Sequence, residues 1–223
     1  MKKMVTIFDV TEIASHVASQ NGFKSIFKID PMNPVSSELK PDLIYLKTPK
    51  FIESSKEEYG QLIKRIFSII DQKKPKWIVW ELQSGIIYDQ NGSVFRSIIS
   101  EIGELGYGIS WRVFNSKYFN SPIDSEKLFL VASFGEWESS REVLFESGSS
   151  LGSFEVKGKK RPVKKPSSIQ ENSGVTQLTK EILGDALNFP KSIVRKSNYQ
   201  DIKDSCNSEV LRFIFSRINK IKS

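Results

Sequence analysis

Few residues in this chain are equipped for covalent or metal chemistry. Cys206 is the single cysteine and His16 the single histidine, which excludes an internal disulfide and a cysteine-based metal cluster. His16 has neither metal-ligand spacing nor a neighbouring nucleophile, so a structural or surface role is expected for it. Cys206 reads as a buried or incidental thiol. Two places remain where side chains are set up for chemistry. Residues 42–55, DLIYLKTPKFIESS, lead from an apolar run through Pro49, Lys50 and Phe51 into a helix start, and in α/β proteins such a loop is where ligands and catalytic groups collect. The second, Lys157, Lys159, Lys160, Arg161, Lys164 and Lys165, is cationic and suited to nonspecific contact with phosphates, with a solvated linker as the alternative.

Positioning these groups requires a sheet. Residues 5–8 form a short β-like run, and 13–18 a helix that Asn21-Gly22 ends. Residues 23–29 and 43–46 read as two more strands, with little room for a full helix in the stretch broken by Pro31, Pro34 and Pro41. Ser54 or Ser55 can cap the next helix, Glu57 or Glu58 completing a capping box, and Leu62, Ile63, Ile66, Phe67 and Ile70 recur on one face. Pro75 breaks that helix, and 77–82 is an apolar run short enough for a buried parallel strand. Phe95, Ile98, Ile99, Ile102 and Leu105 mark the following helix, which Gly106 can end in a left-handed cap. Residues 109–114 and 128–134 supply two more strands. Trp77, Trp80 and Trp111 lie in strands and are expected in the core, whereas Trp137, beyond the last strand, is free to be exposed. From 147 to 173 Ser, Gly, Lys and Pro dominate, which predicts a mobile loop or insertion. Structure resumes near Leu178, and Val210, Leu211, Ile214, Phe215 and Ile218 mark an amphipathic C-terminal helix. The alternation argues for an α/β sheet with helices on its faces.

A length of 223 residues suits one main domain with a sizeable core. Hydrophobic residues make up 39% and charged residues 26%, and the apolar runs are interrupted well before the roughly 20 residues that cross a bilayer. A soluble protein without membrane partners is expected. Asp9 and Glu12 interrupt what a signal peptide would keep apolar, and the cysteine usage fits a reducing cytoplasm. The formal net charge of +7 favours polyanionic partners if it is clustered; a generally basic soluble protein is the alternative.

The stretch 75–135 resembles the bacterial and phage DNA cytosine-5 methyltransferases. VWELQSG keeps that family's strand-end glutamate as Glu81, ELGYGISW keeps Gly106-Tyr107, and Phe119 and Pro122 survive from a Phe-Gly-Val-Pro-Gln signature. The segment SSREVLFES, 139–147, resembles the stretch just after the last strand in phage-type members. More weakly, TIFDVTEIASHVASQNGF stands at the family's opening glycine turn, and LTKEILGDALNFPK and YQDIKDSCNSEV resemble its last two motifs, the second usually containing Gly-Asn-Ser-Val. The resemblance implies a Rossmann-like S-adenosylmethionine-dependent methyltransferase fold, a mostly parallel twisted sheet with helices on both faces. It divides the chain into a core at 1–146, a basic polar loop at 147–176 in place of a greatly reduced target-recognition domain, and a C-terminal segment at 177–223 packing back on the core.

The departures fall on the chemistry. The family's Pro-Cys-Gln thiolate attacks carbon 6 of a flipped cytosine, and here Pro49 is followed by Lys50 and Phe51. The glycine turn for the methyl donor is replaced by Phe8-Asp9-Val10-Thr11-Glu12; Lys28 stands where an acidic residue meets the ribose, although Asp30 keeps a nearby aspartate; and Arg-x-Arg has become Ser125-Glu126-Lys127. Pro49, Lys50 and Glu81 are therefore expected to be vestiges of a catalytic site, and Phe8 and Asp30 of a donor site, with no cofactor bound unless the family function is retained. The expected function is that of an inactive homologue acting as a DNA-binding or regulatory subunit, paired with an active methyltransferase or with itself. The alternatives are a divergent active enzyme, a subunit completing an active site in trans, and a protein-only adaptor in a restriction-modification or anti-restriction system.

Overall fold

The computed structural model describes residues 4–8, 12–23, 25–28, 35–47, 56–119, 121–145, 180–187, 189–197, 199–205 and 207–221. Among them are strands β1 (Met4–Phe8), β2 (Ser25–Lys28), β3 (Leu43–Lys47), β4 (Trp77–Gln83), β5 (Tyr107–Asn115) and β6 (Glu126–Phe134). The helices are α1 (Glu12–Gln20), α2 (Lys56–Lys73), α3 (Ser93–Glu104), α4 (Trp137–Leu144), α5 (Lys180–Ala186), α6 (Lys191–Lys196), α7 (Tyr199–Asp204) and α8 (Ser208–Ile221). All six expected strands are present.

The sheet order is β2-β1-β3-β4-β6-β5. The first four strands run parallel, and β6 is inserted antiparallel between β4 and β5. Residues 116–125 link β5 to β6, and among the described ones only a short 3-10 turn, Ser116–Phe119, is formed. That connection is too short for the crossover that a parallel pair needs, so β6 must return alongside β5.

Alternation along each strand divides the interior into two layers. On one face Leu43, Tyr45, Trp77, Val79, Phe129 and Val131 meet α1, α4 and α8. On the other Ile44, Leu46, Ile78, Trp80, Leu128 and Leu130 meet α2 and α3. Burial on both faces is why β4 reads as a continuous apolar run. The five apolar positions expected on α8 are all buried, and its Phe215 ring packs edge-on against Phe23 and Tyr45. Helices α5 to α7 form a smaller cluster around Leu183, Phe189, Val194 and Ile202, with Ile123 against it.

Gly106 ends α3 with φ +89, as expected. Gly108 has a different necessity, because a Cβ there would lie 2.1 Å from the Trp137 Cα. That close approach seats α4 directly on β5. Trp77 and Trp80 are fully buried and Trp137 is exposed. Trp111, however, is not a core residue: it is 44% exposed, because β5 is the last strand of the sheet and its ring leans on Phe95 of α3, at 5.6 Å between centroids, rather than into a closed layer. The predicted Ser54 or Ser55 cap lies outside the described residues.

Candidate active-site cleft

In a parallel sheet, groups for binding and catalysis gather beyond the carboxyl ends of the strands. Here β3 and β4 deliver two charged side chains to that edge, since Lys47 and Glu81 are register partners. Both point to the α1 and α8 side, as period-2 alternation requires when Tyr45 and Val79 lie on that face.

Glu81 is 5% exposed. Its Oε2 accepts a hydrogen bond of 2.7 Å from the Tyr45 hydroxyl, one strand over and two residues before Lys47. Its Oε1 is buried with no hydrogen-bond partner. Two residues further along β4, Gln83 Oε1 accepts from Lys127 Nζ at 2.7 Å, so the lysine in the place of the second family arginine is tied to a side chain of β4.

Across from these groups stands the start of α8. Ala14, Tyr45, Lys47, Glu81, Ser205, Asn207, Ser208 and Leu211 enclose a cleft of about 10 Å³, space for one water molecule. Ser208 Oγ is buried there with no hydrogen-bond partner.

Of the expected vestiges of the catalytic and donor sites, Glu81 alone has a described side chain. Phe8 ends β1, beside Leu46 in register. Pro49, Lys50 and Asp30, and the basic residues Lys157, Lys159, Lys160, Arg161, Lys164 and Lys165, lie outside the described residues, as does Cys206. The cleft brings Glu81 together with Asn207 and Ser208, which survive from the Gly-Asn-Ser-Val motif. It also contains Tyr45, which sequence reading passed over; the signal was its place on the same strand face as Lys47, beside the strand that bears Glu81. His16 lies elsewhere, on α1. Burial, and secondarily the Arg212 guanidinium, lowers its pKa from the usual imidazole value.

A mostly parallel sheet with one reversed strand, helices on both faces and a polar cleft at the strand ends defines a Rossmann-like methyltransferase fold. Among solved structures, the S. pombe Dnmt2 methyltransferase aligns over 99% of this chain and 100% of that one with a TM-score of 0.61 at 14% identity. The chain belongs to the C-5 cytosine-specific DNA methylase family, whose model matches residues 53–222. It is 33% identical over 88 residues to the orphan methyltransferase M.SPBetaI of Bacillus phage SPbeta, covering 39% of this chain and 20% of that protein. To the type II methyltransferase M.BsuFI of Bacillus subtilis it is 28% identical over 79 residues, 35% of this chain and 19% of the relative. These alignments thus span about a fifth of each relative's length.

Proposed function

We propose that this chain is a catalytically inactive homologue of the DNA cytosine-5 methyltransferases, kept as a DNA-binding or regulatory subunit that acts with an active methyltransferase. The observation that carries this reading is the state of Glu81: the family carboxylate is buried, held through Oε2 by Tyr45, in a cleft of about 10 Å³. Sequence adds the missing thiol. Lys50 follows Pro49 where the family has cysteine, and an amine cannot form the thioether adduct at carbon 6 that makes carbon 5 nucleophilic. Phe8-Asp9-Val10-Thr11-Glu12 puts side chains where the donor requires glycine, so Phe8 and Asp30 are remnants and S-adenosylmethionine is not bound. In this reading 1–146 is the core, 177–223 packs back on it, and 147–176 replaces the target-recognition domain. Lys157, Lys159, Lys160, Arg161, Lys164 and Lys165 hold phosphates without reading bases.

Linkage supplies the test. Duplex DNA at about 100 times its Kd adds about 2.7 kcal/mol to stability, which raises Tm by about 5–11 °C for a chain of this size; S-adenosylmethionine leaves Tm unchanged. Neutralising the six basic residues lowers the slope of log K against log salt by up to about 5. A Tm rise with the donor and none with DNA refutes the reading.

One observation favours a second reading, a subunit that completes an active site in trans: Asn207 and Ser208 line the same cleft as Glu81. Methyl transfer by a mixture of this chain with a methyltransferase that is inactive alone distinguishes it.

A further inference from the structure

The two edges of the sheet are built differently. β2 is four residues long and ends on Lys28, and shortness and a lysine both blunt an edge against pairing. β5 is nine residues, YGISWRVFN, without lysine or proline, and it pairs with β6 in unbroken register with no bulge. Trp111 and Val113 are 44% and 40% exposed on it. The phase of the ladder identifies the groups that face outward. Gly135 N–H donates to the Gly106 carbonyl, and Ser116 N–H to that of Ser125. The even-numbered residues of β5 therefore bond to β6, and the odd-numbered ones, 107 to 115, direct N–H and C=O away from the sheet. Among the described residues no strand takes up this edge.

We propose that a second copy of this chain takes it up, the two β5 edges pairing antiparallel about a twofold axis at Trp111 and joining two six-stranded sheets into one. The strand is its own complement in that register. Trp111 faces Trp111 of the second copy and Ile109 faces its Val113, aromatic and β-branched pairs that stabilise a sheet. On the opposite pleat the strand's single charged residue, Arg112, falls opposite Ser110 of the second copy, so no like charges meet. A register centred on Arg112 sets two guanidinium groups against each other and is disfavoured. The contact is isologous and closes at two copies, as a twofold requires. Each chain carries a formal net charge of +7, so the copies repel at long range and salt strengthens the dimer by screening.

The inference rests on the edge itself and not on whether the chain methylates DNA. Sedimentation or light scattering of the full chain at micromolar concentration is expected to give twice the 25.4 kDa chain mass, with the dimer fraction rising between about 0.05 and 0.5 M salt. Val113→Lys places a charge on the edge, and Val113→Pro removes an outward N–H while leaving the ladder to β6 intact; both are expected to be monomers with unchanged far-UV circular dichroism. A 25.4 kDa species at all concentrations overturns the proposal, as does a dimer that survives both substitutions. So does an edge that pairs only with a different protein.

Discussion

Tyr45→Phe removes one oxygen atom from the interior and tests whether Glu81 has become part of the scaffold. The Tyr45 hydroxyl donates to Glu81 Oε2 at 2.7 Å, and Glu81 Oε1 is already without a hydrogen-bond partner. Phenylalanine keeps the ring and its edge contact with Phe215, 6.1 Å between centroids, so packing is conserved while the hydroxyl that bonds Glu81 is lost. Leaving a buried acceptor unsatisfied costs about 1–3 kcal/mol; with both carboxyl oxygens then orphaned, about 2 kcal/mol is expected, a Tm fall of about 4–8 °C. Glu81→Leu abolishes the acceptor, and in that background Tyr45→Phe removes a hydroxyl that has already lost Glu81, so its cost is smaller. Urea denaturation of the wild type, both single variants and the double variant closes the cycle, with an expected coupling of at least about 1 kcal/mol. If Tyr45→Phe costs the same in both backgrounds to within about 0.5 kcal/mol, the Tyr45–Glu81 bond contributes nothing to the fold and the scaffold role of Glu81 is wrong.

Other expectations concern the elements around the cleft. His16 has a folded-state pKa below the usual imidazole value because of burial first and Arg212 second; a depressed histidine leaves stability intact above about pH 6.5 and removes it as pH falls through the folded-state value. Melts from pH 8 to pH 5 are expected to show that loss, and His16→Gln to flatten it. Arg217 Nε and Nη2 donate to the Glu142 carbonyl at 3.1 and 2.6 Å, and Nη2 also to that of Phe145 at 2.9 Å. Arg217→Ala uncaps the end of α4 and should cost about 1 kcal/mol in urea titration. Gly108→Ala drives a methyl group into the Trp137 backbone, where no side chain can yield; a loss of about 2–3 kcal/mol by thermal melt is expected.

The strands were legible because each is a short apolar run bounded by Pro, Gly or charge, and helices α1, α2, α3 and α8 because their apolar residues recur at helical spacing. Helices α6 and α7, at six residues each, are too short for periodicity to mark them. The exposure of Trp111 was not legible, since the sequence of a strand does not say whether another strand lies beyond it. The return of β6 was not read either, since strand direction is set by pairing. At the site, Glu81 was visible through the resemblance of VWELQSG to the family's strand-end motif. Its partner Tyr45 is 36 positions away and is set by the register of β3 on β4, which only pairing in three dimensions fixes. Asn207 and Ser208 reach the same cleft because α8 packs on the face that carries Tyr45, a tertiary fact that the motif alone does not contain.

The proposed loss of the reaction from a retained scaffold can be measured. The direct measurement is transfer of labelled methyl from S-adenosylmethionine to unmethylated duplex DNA by the purified full chain, beside an active family member under the same conditions. Incorporation indistinguishable from a protein-free control is expected at every protein concentration. Label on carbon 5 of cytosine, lost on Glu81→Gln, contradicts it.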